Sequence, residues 1–114
     1  MELKIEEALV IEEGKHIGKI IDIQYREKPY AYTDLVIELA NGLKLKAGYA
    51  TKVTPVSKLG RLMLDFGASL EVGKSIDVED VFVGKGCTFL VEKDGNFNNI
   101  IPKSLKPVEE WRVL

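Results

Sequence analysis

The chain has one cysteine, Cys87, and one histidine, His16, among its 114 residues. A lone cysteine excludes an internal disulfide, and these two side chains fall short of the roughly four ligands a structural zinc needs. A cysteine–histidine nucleophile pair would have to meet in space. The two fall on different predicted strands, and Cys87 reads as a small buried hydrophobe. No phosphate loop of the form GxxxxGK-S/T occurs, and Gly84-Lys85-Gly86 is too short to serve as one. No apolar run approaches the roughly 20 residues that cross a bilayer. The first residues, Met1 to Gly14, carry Glu2, Glu6, Glu7, Glu12 and Glu13, where a secretory signal would have a basic start and an apolar middle. The expectation is a non-enzymatic chain without cofactor, metal or membrane contact, in a reducing, cytoplasmic setting.

Excess positive charge is also missing. Sixteen basic side chains face 18 acidic ones, a net charge of −2. That argues against gripping duplex DNA by bulk charge; it leaves room for a local basic strip, because binding uses one face. The acidic run Asp77-Val78-Glu79-Asp80 lacks the spacing of a calcium loop and suits the first turn of a helix.

What the chain does have is a globular composition, 46% hydrophobic and 30% charged, sufficient for one domain over residues 1–114 with its own core. Period-two alternation dominates. Ile17 to Arg26 places Ile17, Lys19, Ile21, Ile23 and Tyr25 on the inward phase. Tyr30 to Ala40 places Leu35, Ile37 and Leu39 inward, and Asn41-Gly42 signals a hairpin. Leu43 to Ala50 resumes with Leu43, Leu45, Ala47 and Tyr49. The period then changes. Thr54 reads as an N-cap with Pro55 at the first helical position. Val56, Leu59, Leu62, Met63 and Phe66 follow at helical spacing, and Gly67 fits the end of a helix of about three turns. Ile76 to Phe82 reads as a short helical turn or irregular segment. Cys87 to Lys93, with Cys87, Phe89 and Val91 inward, turns at Asp94-Gly95 into a returning strand, Phe97 to Ile101, whose Phe97 is assigned to the core. The tail, 103–114, carries Trp111.

Three strands, a helix and a two-strand hairpin match a mainly β fold: a five-stranded antiparallel barrel of the OB type, core about 14–102, with one helix between strands 3 and 4. A small SH3-like barrel is the competing architecture. Three stretches sharpen the choice. Gly14-Lys15-His16-Ile17-Gly18-Lys19-Ile20 opens a strand. Lys58-Leu59-Gly60-Arg61-Leu62 precedes Phe66-Gly67, and Val83-Gly84-Lys85-Gly86-Cys87 precedes Asp94-Gly95-Asn96-Phe97. The series resembles the small OB-fold single-stranded-DNA-binding proteins of phages, prophages and archaeal mobile elements. The resemblance implies a barrel that binds single-stranded DNA in replication or recombination.

Non-specific single-strand binders need aromatic faces for bases and cations for phosphates, usually on strands 2 and 3 and the adjoining loops. Tyr30 and Tyr32 on one strand and Lys44 and Lys46 on its hairpin partner fit that requirement. Arg26 and Lys28 lie in the first connection and Lys52 follows the third strand. Lys93 and Lys103 flank the last hairpin. The same residues also suit a plain solvated strand face with tyrosines capping the barrel end. Asp34 and Glu38 share that face and oppose phosphate. Tyr25 and Tyr49 are expected in the core. The ligand could be RNA as well as DNA, and the chain could form a homo-oligomer. The alternative function is a virus-related protein-interaction or assembly domain, favoured by the acidic balance and the Trp111 tail.

Overall fold

The computed structural model describes residues 1–5, 11–95 and 97–108; Trp111, in the tail singled out above, and Asn96 of the last hairpin lie outside them. Strands β1 (Gly14–Arg26), β2 (Tyr32–Leu39) and β3 (Lys44–Ala50) form an antiparallel meander. Helices α1 (Lys58–Asp65) and α2 (Val78–Phe82) follow, then β4 (Gly86–Asp94), β5 (Phe97–Ile100), a 3₁₀ turn at Pro102–Ser104 and a two-residue strand β6 (Lys106–Pro107). The sheet runs β3-β2-β1-β4-β5, with β6 paired to β4.

The thirteen residues of β1 serve two partners. Gly14 to Lys19 pair with β4, and Gly18 to Arg26 pair with β2. At the changeover, a Cβ on Gly18 would lie 2.6 Å from Ile37 Cγ2 and 2.9 Å from the Glu38 carbonyl oxygen. Only glycine leaves room for the strands to close up there. Between Ile20 and Asp22 the ladder slips by one residue. That bulge bends β1 and reverses its side-chain phase. Ile20 and Ile23 therefore both point into the core, whereas Ile17, Lys19 and Ile21, expected inward, are only half-buried.

β3 and β5 approach one another along the open side of the sheet. Among the described residues no ladder joins them, so the sheet is not closed as the expected barrel would be. The described residues form six strands and two α-helices where five and one were expected. Ile76 to Phe82 supplies the second helix. Asp77 caps it, accepting from the Glu79 and Asp80 N–H groups; Val81 and Phe82 are buried in the core and Val78 packs against it partly buried.

The first helix starts later than expected. Thr54-Pro55-Val56-Ser57 forms a turn, and the α1 cap is Ser57, whose Oγ accepts the Gly60 N–H at 3.0 Å. Thr54 and Ser57 hold one another: the Thr54 N–H donates to Ser57 Oγ at 3.0 Å and the Ser57 N–H to Thr54 Oγ1 at 2.9 Å. Ser57 Oγ also donates to the Lys52 carbonyl oxygen at 2.7 Å. Val56 is consequently exposed in the turn, while Leu59, Leu62, Met63 and Phe66 are buried. Ser57→Ala should destabilise the protein by about 1–2 kcal/mol in urea titration, since one hydroxyl caps the helix and secures the loop.

The core joins Leu35, Ile37, Ala47 and Tyr49 to the buried faces of both helices and to Cys87, Phe89, Val91 and Ile100. Phe66 and Phe82 meet edge-on, centroids 5.2 Å apart. Tyr49 is in the core as expected, its hydroxyl donating to the Pro102 carbonyl at 2.7 Å. Two aromatic assignments are corrected. Tyr25 is 54% exposed at the end of β1, with its hydroxyl donating to Glu79 Oε1 at 3.1 Å. Phe97, at the start of the short β5 hairpin arm, is 73% exposed.

Burial pushes the Cys87 thiol from 9.0 up to about 12, partly offset by its contact with the Gly18 carbonyl, and burial also raises Tyr49. Both groups ionise more readily unfolded than folded. Their contribution to stability is complete below pH 9 and is lost as pH rises toward the folded values. The expected results are a melting temperature that falls steadily above about pH 9 and a Cys87 inert to iodoacetamide at pH 8 until the chain is unfolded.

Candidate nucleic-acid interface

The outer face of the meander carries the even positions of β2. Arg26 on β1 stands opposite Tyr32, which stands opposite Ala50 on β3; Asp34 stands between Gln24 and Gly48. Because β2 is the middle strand, neighbours wall in its outward side chains on both sides. Asp34 and Val36 are thus buried although their phase points outward.

Arg26 reaches diagonally across the ladder to Asp34. Its Nε donates to Oδ2 at 2.6 Å and its Nη2 to Oδ1 at 3.0 Å, a two-point grip that a lysine could not reproduce. The hydrogen bond to Asp34 raises the Arg26 pKa further, against a smaller opposing effect of burial. In this pose the guanidinium carbon lies 5.0 Å from the centroid of the Tyr32 ring, within cation–π range. The arginine is half-exposed and the aspartate 7% exposed.

Gly48 makes the arrangement feasible. A Cβ there would sit 2.8 Å from Asp34 Oδ1, 3.3 Å from Arg26 Nη2 and 3.4 Å from Tyr32 Cδ2. Any larger residue would have to displace the carboxylate that holds the arginine. Gly48 and the positioning role of Asp34 were missed in the sequence, where Asp34 counted only as a charge opposing phosphate. The available signal was a glycine in mid-strand, which marks close approach by another group.

The remaining candidates fall into three places. Lys28 and Tyr30 lie exposed in the β1–β2 connection, which contains a cis peptide at Lys28–Pro29. Tyr30 is 74% exposed, the most open tyrosine of the chain. The Thr51 N–H donates to the Ala31 carbonyl at 3.0 Å, so exposed Lys52 leaves β3 beside that same connection. Lys44 and Lys46 are exposed on the outer face of β3. Lys44 is registered against Glu38, and Lys46 against Val36, with no carboxylate directly across from it on β2.

Lys93 is elsewhere. Val91 pairs with Gly14 at the start of β1, whereas Arg26 ends that strand. Lys93 therefore lies beyond the opposite end of β1, exposed on the β4–β5 hairpin near Phe97, its backbone N–H donating to Glu13 Oε1 at 2.9 Å. The structure thus gathers Arg26, Lys28, Tyr30, Tyr32 and Lys52 at one end of the meander. Lys44 and Lys46 extend along its outer face, and Lys93 stands apart.

Among the described residues no group of three or more histidine, cysteine, aspartate or glutamate side chains is placed to hold a metal ion. Nor is any helix among the described residues long and apolar enough to cross a membrane. No protein-family model and no curated protein matches the chain.

Proposed function

We propose that this chain is a non-catalytic module that binds single-stranded DNA, in replication or recombination, on the outer face of an OB-type barrel. The observation that carries the reading is the Arg26 guanidinium held over the Tyr32 ring by Asp34, beside exposed Tyr30 and Lys46. Planar cationic and aromatic groups are what unstacked bases pack against, and lysines track the intervening phosphates. Locking the arginine in place beforehand reduces the ordering cost of binding. The sheet order β3-β2-β1-β4-β5, with β3 and β5 approaching along the open side, supports the OB reading. In that fold the strand 2–3 face and the adjoining loops are the usual binding surface.

The test is fluorescence anisotropy of labelled oligo(dT), at about 50 and 200 mM salt, with a duplex and an oligo(U) control. Salt-sensitive binding to oligo(dT) and none to the duplex is the expected result. A preference for oligo(U) would reassign the ligand to RNA. The absence of binding at low salt would reject the reading.

A further inference from the structure

A second surface lies away from the outer face of the meander. Between α1 and the 3₁₀ turn runs a groove of about 540 Å³, lined by Ile101 and Pro102 over the buried Tyr49, Leu62 and Leu105, and rimmed by Lys58, Arg61 and Lys103. Its one acidic lining residue is Asp65. The chain as a whole is net acidic, so three cations to one carboxylate is a local reversal. None of these cationic groups makes a hydrogen bond or ion pair with another described residue. Their placement also runs against helix electrostatics. Lys58 and Arg61 occupy the start of α1, where the helix dipole favours acids, and the first turn contains none.

We propose that this groove docks an acidic segment of a partner protein, with an aliphatic side chain on the floor and carboxylates on the cationic rim. Charge complementarity selects the acidic character. The floor selects peptide over nucleic acid: its accessible apolar surface is Ile101 and Pro102, over buried Leu62 and Leu105, and the Tyr49 ring is buried with its hydroxyl bound to Pro102. No aromatic face is offered on which a base could stack. The groove and the Arg26–Tyr32 face are served by opposite sides of β3, so both can be occupied together.

The probe is a fluorescein-labelled peptide of aspartates punctuated by leucines, titrated against the full chain. Saturable binding is expected, abolished when the aspartates become lysines and weakened when the leucines become serines. The double reversal K58E and R61E, with circular dichroism to check the fold, should weaken the peptide by roughly tenfold or more. It should leave oligo(dT) titration unaffected. Equal affinity of the peptide for the reversed chain would overturn the proposal. So would loss of oligo(dT) in place of peptide, which would assign the groove to nucleic acid. Peptide binding that emerges only after replacing Glu109, Glu110 and Trp111 would make the occupant the chain's own terminal segment. A dimer dissociated by the reversal would make it a second copy.

Discussion

Gly60→Ala should destabilise the protein by about 3 kcal/mol, although alanine is the better helix former by about 1 kcal/mol. Gly60 is the third residue of α1, pressed against the turn that precedes the helix. A Cβ at this position would fall 1.7 Å from the Thr54 carbonyl oxygen, 2.8 Å from its carbon and 2.9 Å from Ser57 Oγ. The obstacle is backbone, so no rotamer change relieves it. Nor can the turn retreat freely, since Thr54 and Ser57 are bonded to one another and Ser57 to Lys52. Moving the turn breaks the cap as well as the packing. For a chain of this size the melting temperature should drop by roughly 12 °C. Gly67→Ala provides the comparison. Gly67 has φ +92° with nothing within 4 Å of the added Cβ, so its cost is conformational alone, about 1–2 kcal/mol. If Gly60→Ala proves the milder of the two in thermal melts, the close approach of Thr54 to α1 is wrong.

Much of the fold was legible because its signals were local. Asn41-Gly42 and Asp94-Gly95 announced their hairpins, and both glycines adopt positive φ. Alternation in β2 and β3 placed Leu35, Ile37, Ala47 and Tyr49 in the core, where they are. Legibility failed where a non-local interaction overrode the pattern. The bulge after Ile20 reversed the phase of half of β1, and alternation cannot register a residue that pairs with nothing. Thr54-Pro55 carries the composition of a helix start, but the Ser57 hydroxyl takes the helix N–H and leaves Thr54 to close the turn. Tyr25 has an inward phase, yet it stands at the end of its strand, where α2 offers the Glu79 carboxylate instead of a core.

The candidate interface was legible as a composition and not as a geometry. Tyrosines interleaved with lysines suggested where to look. That Asp34 opposes nothing, because it is spent on Arg26, follows only from the diagonal reach across β1 and β2. That Lys93 stands apart follows only from the register of β4 on β1.

On the proposed reading, Tyr30→Ala combined with Tyr32→Ala should weaken oligo(dT) binding by tenfold or more, at about 1–3 kcal/mol for each stack removed. Tyr30 is exposed and should act through the base alone; Tyr32 supports the Arg26 plane, so its loss also frees the guanidinium. Thermal melts would separate that loss from unfolding. Unchanged affinity in a folded double variant would move the ligand off this face. The salt dependence then distinguishes stacking from phosphate neutralisation. Removing Lys44 and Lys46 together should flatten the dependence of log K on log salt by about 1.4, near 0.7 for each single-strand phosphate that is no longer neutralised. Lys46 should account for more of it than Lys44, which faces Glu38. Arg26→Ala should cost affinity while leaving that slope almost unchanged, because Asp34 already balances the arginine's charge. A slope that flattens on Arg26→Ala as it does for a lysine would mean that Arg26 leaves Asp34 and Tyr32 to take a phosphate. The guanidinium would then act as a mobile charge and not as a fixed stacking surface.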